Sequence, residues 1–507
     1  MKVDYISHAT LGIETKDAKI LFDPWVDGSA YCGQWNVFPK PLNYEKYHDA
    51  NFVIISHGHE DHMHHHTLEN FPNKGNAHIF YPYQWSGGIK EYFLELGFKK
   101  ITEGITKKKY QISPTTSITY IANALDSAII VDDGEKVLVN INDSLHSHHK
   151  NVIDLFCGEI KKIIKKKINY VFCGFGGASW FPNSIHCEGK DDLEIGKVRE
   201  QMFAHNFCRI VQNLNPEIAV PFAADFALLK DEQRWINTTR FNREHLSEYF
   251  KKYFSNSNAS IRTMYSGDNI LDGRLIEESP YRKKFDKDLT LDGLIDKQYE
   301  KEIQEQNQII YIDDNEANDL CNRILKNINA RTFLFPNEKL KDANFSLEFS
   351  NCKEKQFFNI EFFENKFVGN RSNLLSDKSV LKIKSRSKIF DYSISSEWGG
   401  DAITIGYGAD MYFLDKTILT SGVDNVCTHL ITRHPIASKT IKKDFMRAFK
   451  YFSTNKLMTK LAIERVRYGA DKMQISYNRD YWLNKNKCEV CRVCDLPLLS
   501  SEFASEL

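Results

Sequence analysis

Apolar residues in the first half of the chain fall into short runs separated by longer amphipathic stretches, the alternation expected of an α/β sandwich. Residues 118–121, 127–131 and 136–141 read as strands, and Asp132-Asp133-Gly134 reads as the hairpin turn between the last two. The spacing predicts helices over 152–168 and 198–214, each followed by a buried strand, at 170–174 and 218–222. From about residue 276 the pattern changes. Residues 279–308 are highly charged and predict a helix with Pro280 near its start; 345–420 turn strand-like, with runs at 345–349 and 357–363; a further helix is predicted over 437–467. The chain thus divides into an α/β unit over 1–275, a smaller α+β domain over 276–485 and a cysteine-rich tail over 486–507. No internal repeat interrupts this order.

A chain of 507 residues is too long for one core, which agrees with that division. Lys plus Arg and Asp plus Glu both number 67, so no global field recruits nucleic acid or a membrane surface. The densest basic run, 161–168, carries Ile at helical spacing and reads as the solvated face of an amphipathic helix. No apolar stretch approaches the roughly 20 residues a bilayer span needs, and the N-terminus follows a strand pattern rather than a secretory signal. Eleven cysteines, mostly scattered singly, fit a reducing cytoplasm better than a disulfide framework.

One segment changes the picture. A short Val/Ile strand at 53–55 runs directly into Ser56-His57-Gly58-His59-Glu60-Asp61-His62. His57 and His59 can aim at one ion, while Asp61 and His62 point at a position beside it. Upstream, Ile20-Leu21-Phe22 is a strand ending in Asp23, a carboxylate suited to orienting the ligand loop. His64, His65 and His66 read as the exposed start of a helix. Asp143, in Asn140-Ile141-Asn142-Asp143-Ser144 at a strand end, reads either as a ligand or as a turn residue or helix N-cap.

Together with residues 6–14, these motifs resemble the metallo-β-lactamase superfamily in order and spacing. The resemblance implies an αββα sandwich holding one or two divalent ions (zinc, iron or manganese). His57, His59, Asp61, His62 and Asp143 would be the ligands, Asp61 would double as base, and His8 and Asp23 would support them from behind. Two histidines usual in the superfamily are missing, around 121–126 and around 220–225. Substitutes are His146, with His148 and His149 beside it, Asp126 or Asp225.

Residues 175–182 and 220–226 are further similar to the metallo-β-lactamase-like part of the CMP-N-acetylneuraminate hydroxylases, a likeness over roughly 1–280. Those enzymes use a Rieske cluster, which needs Cys-x-His followed by Cys-x-x-His. Cys427-Thr428-His429 is the only Cys-x-His here and no partner follows, so oxygen chemistry would draw electrons from a separate protein. Gly174, Gly176 and Gly177 suit a backbone that approaches a ligand closely. Trp180 and Phe181 suit stacking on a base or sugar, or core packing.

Cys488, Cys491 and Cys494 present three thiols at metal-ligand spacing, for a structural zinc or an iron–sulfur group, with Cys427, Cys352 or a histidine as fourth ligand. Three functions follow. The first is a hydrolase whose metal-bound hydroxide attacks a phosphoryl or acyl centre of a small anionic substrate. The second is an iron-dependent oxygenase acting on an amino-sugar nucleotide. The third is a binding protein on a scaffold that has lost its catalytic set.

Overall fold

The computed structural model describes residues 1–463 except 85–87, 125, 178–179, 187–191, 255–256, 283–290, 397, 416–422, 433–445, 448, 452, 454–455, 458 and 462. Two sheets lie face to face. The first has the order Arg274–Ile276, Asn269–Leu271, Lys2–Ser7, Thr10–Glu14, Lys19–Phe22, Phe52–Ile54, His78–Pro82, Lys100–Gly104. The second runs Ser260–Ile261, Ile218–Phe222, Tyr170–Gly174, Val137–Asn142, Asp126–Asp132, Ser117–Asn123, Lys109–Gln111. Tyr5, Leu11, Ile20, Phe22 and Ile54 of one sheet pack against Tyr120, Ile129, Leu138, Phe172 and Val220 of the other.

Helices cover both outer faces. Lys150–Ile163, Asp192–Leu214 and Leu246–Tyr253 bury Val152, Phe156, Phe207, Val211 and Phe250 on the second sheet. His65–Glu69 and Ile89–Glu95 bury Leu68 and Phe93 on the first. This is the αββα sandwich that the apolar pattern and the motifs predict. Its chemistry sits where strands end: the parallel strands Lys19–Phe22 and Phe52–Ile54 stop side by side, just before Asp23 and the histidine loop.

The second half adds to its sequence pattern. The charged stretch 279–308 holds the helix Leu291–Asn307, and 283–290 lie outside the described residues. Ser279 lies outside any helix, its amide donating to Asp268 Oδ1 at 2.8 Å. The helix turns Leu294, Ile295 and Tyr299 onto Phe38, Ala227 and Leu229 of the first half. Between the strands of 345–420 lie two helices, Ser387–Ser395 and Gly399–Ile403, whose buried Ile389, Phe390 and Ile403 sit among the third-sheet side chains. That third sheet has the order Ile185–His186, Asp410–Phe413, Leu381–Ser385, Phe345–Phe349, Phe357–Phe363, Lys366–Ser372, so its edge strand comes from the first half of the chain.

In the first half, the helix expected over 152–168 ends at Ile163, because Ile164 is extended; Lys165, Lys166 and Lys167 lie beyond it. The seven described cysteines carry no disulfide. Most of 437–467, and Cys488, Cys491 and Cys494, lie outside the described residues. No helix among the described residues is long and apolar enough to cross a membrane.

Candidate metal centre

The histidine loop leaves its strand at Ile54, and Asp23 fixes the exit. Asp23 is fully buried, and its Oδ1 accepts the Ser56 amide at 2.7 Å. Its Oδ2 accepts the Ser56 hydroxyl at 2.7 Å and the side-chain amide of Asn142, and lies 3.2 Å from His62 Nδ1. One carboxylate therefore ties the loop to the strand end that carries Asp143. It also assigns the ring proton of His62 to Nδ1, so that the Nε2 lone pair faces the opposite way.

That nitrogen faces carboxylates, whose charge favours a proton there until an ion takes its place. His62 Nε2 lies 3.4 Å from Asp61 Oδ2 and 3.3 Å from Asp143 Oδ2. On the other side of the loop, His57 Nε2 lies 2.8 Å from His59 Nδ1 and 3.8 Å from Asp126 Oδ1, while Ser56 Oγ lies 2.9 Å from His57 Nδ1. Among the described residues, donor atoms converge in three groups within 4.8 Å: His57, His59 and Asp126; His57, His62 and Asp143; His8, Asp61 and His62. Each group is two imidazoles and one carboxylate.

These residues fit a divalent ion on physical grounds. His62 Nε2 and Asp143 Oδ1 are buried without a hydrogen-bond partner, which costs free energy unless something else satisfies them. Two imidazole nitrogens facing one another at 2.8 Å must share a proton or a cation.

The electrostatics agree. Burial, with His62 and His59 nearby, holds His57 well below the usual imidazole pKa, so it is a neutral donor. Burial opposes charge at His62 and at Asp61, yet each outweighs that penalty for the other: His62 is pushed well above its usual value and Asp61 well below. Asp143 is likewise lowered against burial, chiefly by His62. The site keeps anionic carboxylates in a buried place, as a cation would require.

Asp61 is further held by Tyr31, whose hydroxyl donates to Oδ1 at 2.5 Å, and by His8, whose Nε2 lies 3.0 Å from Oδ2. His8 thus touches a candidate ligand directly, from a backbone at φ 41° in the first hairpin turn. Of the substitutes for the missing histidines, Asp126 joins His57 and His59. His146 is buried with neither ring nitrogen hydrogen-bonded, and it neighbours Asp143 across Gly174. Asp225 is used differently. Both its oxygens are engaged, by Arg243 and by the Tyr5 hydroxyl at 2.6 Å, so it serves as counter-ion to a half-buried guanidinium rather than as a ligand. His149 caps the helix that starts at Lys150. His65 and His66 are exposed at the start of His65–Glu69, as their sequence suggests, whereas His64 is buried there as its N-cap.

A Cβ on Gly174 would stand 2.8 Å from Asp143 Oδ1 and 3.2 Å from His146 Nδ1. Gly176 meets Glu200, and Gly177, at φ 94°, meets Phe226. The close approaches predicted for this loop are therefore to protein groups. The side chains of Trp180 and Phe181 lie outside the described residues.

The second half supplies residues that sequence reasoning missed. Trp398 Nε1 donates to Gly58 O at 2.9 Å, and the Tyr392 hydroxyl lies 3.3 Å from Glu60 Oε2, which also accepts the Tyr31 amide at 2.5 Å. Burial pushes Glu60 up to about 7. Asp401, itself raised by burial, is one of the carboxylates whose charge outweighs burial and raises His59. Nothing near these residues in sequence marks them.

Residues 2–199, within the αββα sandwich, match the family model described as "Beta-lactamase superfamily domain". Among curated proteins the chain is similar to a putative Rieske 2Fe-2S iron-sulfur protein of Mycobacterium tuberculosis, 25% identical over 249 residues, covering 47% of this chain and 46% of that protein. It is also similar to the inactive cytidine monophosphate-N-acetylneuraminic acid hydroxylase of Homo sapiens, 24% identical over 310 residues, covering 55% of each. The chain spans about half the length of these curated relatives. Among solved structures, the diiron β-hydroxylase CmlA of Streptomyces venezuelae aligns over 54% of each chain, at 14% identity and a TM-score of 0.37.

Proposed function

We propose that this chain is a metal-dependent enzyme with two adjacent ions, and that its chemistry is the iron-dependent hydroxylation of a small anionic substrate. The observation that carries this reading is the donor set: every converging group pairs two imidazoles with one carboxylate, the set associated with non-haem iron. His57, His59 and Asp126, such a set, would hold one ion; Asp61, His62 and Asp143, one imidazole and two carboxylates drawn from the other two groups, would hold the second. Bound iron would supply oxygen activation. The likeness to hydroxylases acting on an amino-sugar nucleotide supports a substrate of that class.

The chain's own residues do the rest. Asp23 aims His62, Tyr31 and His8 hold Asp61 as an anion, and the aromatic wall of Trp25, Trp35 and Phe226 around His8 keeps bulk water from that side. Hydroxylation breaks a C–H bond and forms C–O with one atom of dioxygen; the other leaves as water, with two electrons and two protons. A separate electron-transfer protein would deliver the electrons. Cys427 and His429 sit on the helix Val423–Leu430, with Cys427 packed in an apolar core.

Hydrolysis is the second reading, because Asp61 is held ionised where it could take a proton from a metal-bound water. Metal analysis of protein purified without added metal, followed by turnover with and without dioxygen and reductant, separates the two. Retained iron with oxygen-dependent product is expected. Retained zinc, with turnover of a phosphoryl or acyl ester in the absence of oxygen, would replace this reading by hydrolysis.

A further inference from the structure

The loop His57-Gly58-His59-Glu60-Asp61-His62 alternates ligand candidates with two residues that ligate nothing, Gly58 and Glu60. Both are gripped by the C-terminal half. Gly58 O accepts the Trp398 indole N–H at 2.9 Å, and Glu60 Oε2 lies 3.3 Å from the Tyr392 hydroxyl. The third ligand candidate is reached through an intermediary. Tyr31, bonded to Glu60 by its amide and to Asp61 by its hydroxyl, lies against Gly406, where an added Cβ would stand 2.6 Å from the Tyr31 Cβ.

These contacts are buried in packed surroundings. The Trp398 ring lies in the same apolar cluster as Ile55, Met63, Leu68 and Phe93, which walls the loop from behind. It meets Tyr92 edge-on at 5.7 Å. Tyr407 stands beside Trp35, 5.5 Å between rings, and donates its hydroxyl to Gly177 O. A loop whose ligands alternate with tethered residues has few other shapes open to it, so each tether narrows the directions in which His57, His59 and Asp61 point.

We infer that the described residues between Tyr392 and Tyr407 form a positioning strap for the metal loop, so that ion binding by the first half and docking of these residues are linked. The inference rests on the metal centre proposed above. Trp398 and Tyr392 touch no candidate donor atom; they act through Gly58 and Glu60. By reciprocity, an ion that needs the strapped loop must also hold the strap down.

The test uses the full chain. Trp398→Phe keeps the ring and removes the indole donor; Tyr392→Phe removes the hydroxyl. Affinity for iron(II) and for zinc alone is measured by competition with a chromophoric chelator, and folding of the metal-free proteins by circular dichroism. The double variant is expected to stay folded and to bind each ion about tenfold more weakly, the usual effect of losing a group that orients a ligand. Should the variants misfold, hydrogen exchange on the wild-type chain decides: amides of 392–407 are expected to exchange more slowly with metal than without. Folded variants with wild-type affinity, or exchange in 392–407 that ignores metal, would overturn the strap and leave the metal centre standing. A wild-type chain that binds neither ion would remove both.

Discussion

Replacing Asp23 by Asn changes one atom and tests how the centre is aimed. The carboxylate is fully buried and receives four donors: the Ser56 amide and hydroxyl, the Asn142 side chain and His62 Nδ1. An Asn can offer only one oxygen. If that oxygen takes the Ser56 amide, the new NH2 faces Asn142 and His62, and His62 finds relief by moving its proton to Nε2. The lone pair that faces Asp61 and Asp143 is then lost. In the other orientation the NH2 faces the Ser56 amide. Either way one buried donor is left against another, at a cost of about 2 kcal/mol. Metal affinity should fall about 10- to 100-fold. Chemical denaturation of the metal-free protein reads the first quantity and chelator competition the second. A variant that loses the stability but keeps its affinity to within about twofold would show that the orientation of His62 is irrelevant to metal binding.

Metal affinity should rise as pH climbs above the ordinary imidazole range, because an ion must displace the proton that Asp61 and Asp143 favour on His62; a flat profile in chelator titrations would contradict this. Gly174→Ala places a methyl against Asp143 and His146 and should weaken binding about tenfold in the same titration; unchanged affinity would put Asp143 outside the centre. His186 bridges Asp192 at 2.8 Å and Asp410 at 3.1 Å, joining the first half of the chain to the third sheet. Against burial, those carboxylates raise it to about 9, so its contribution is complete below the ordinary imidazole value and is lost as pH rises through about 9. His186→Gln should cost about 1 kcal/mol at neutral pH, after allowance for partial exposure, and nothing at about pH 10; a pH-independent difference in denaturation midpoints would refute it.

Much of the first half was legible because its signals are local. Residues 118–121, 127–131 and 136–141 are apolar runs bounded by turn chemistry, and the structure extends each by a few residues at most. His57, His59, Asp61 and His62 are neighbours in sequence, so one loop announces them. Asp126 and His146 could be offered only as alternatives, because their approach to the loop depends on how three antiparallel strands register. Asp225 looked equally suitable; what decides its role is Arg243, eighteen residues away, which no local pattern pairs with it. Least legible were Tyr392, Trp398 and Asp401, which reach the loop only after the second half has folded back on the first. An exposed Trp and a core Trp look alike in sequence. The apolar pattern of 345–420 read as strands throughout, because the short helices Ser387–Ser395 and Gly399–Ile403 bury one face each and lack the length that reveals a 3.6-residue period.

The most direct test of the metal centre is anomalous diffraction at the iron and zinc edges from crystals of the metal-loaded chain. The expected result is two adjacent peaks at bonding distance, about 2.0–2.3 Å, from the ring nitrogens of His57, His59 and His62 and from oxygens of Asp126, Asp143 and Asp61. Peaks elsewhere, or none at this loop with metal in excess, would contradict it.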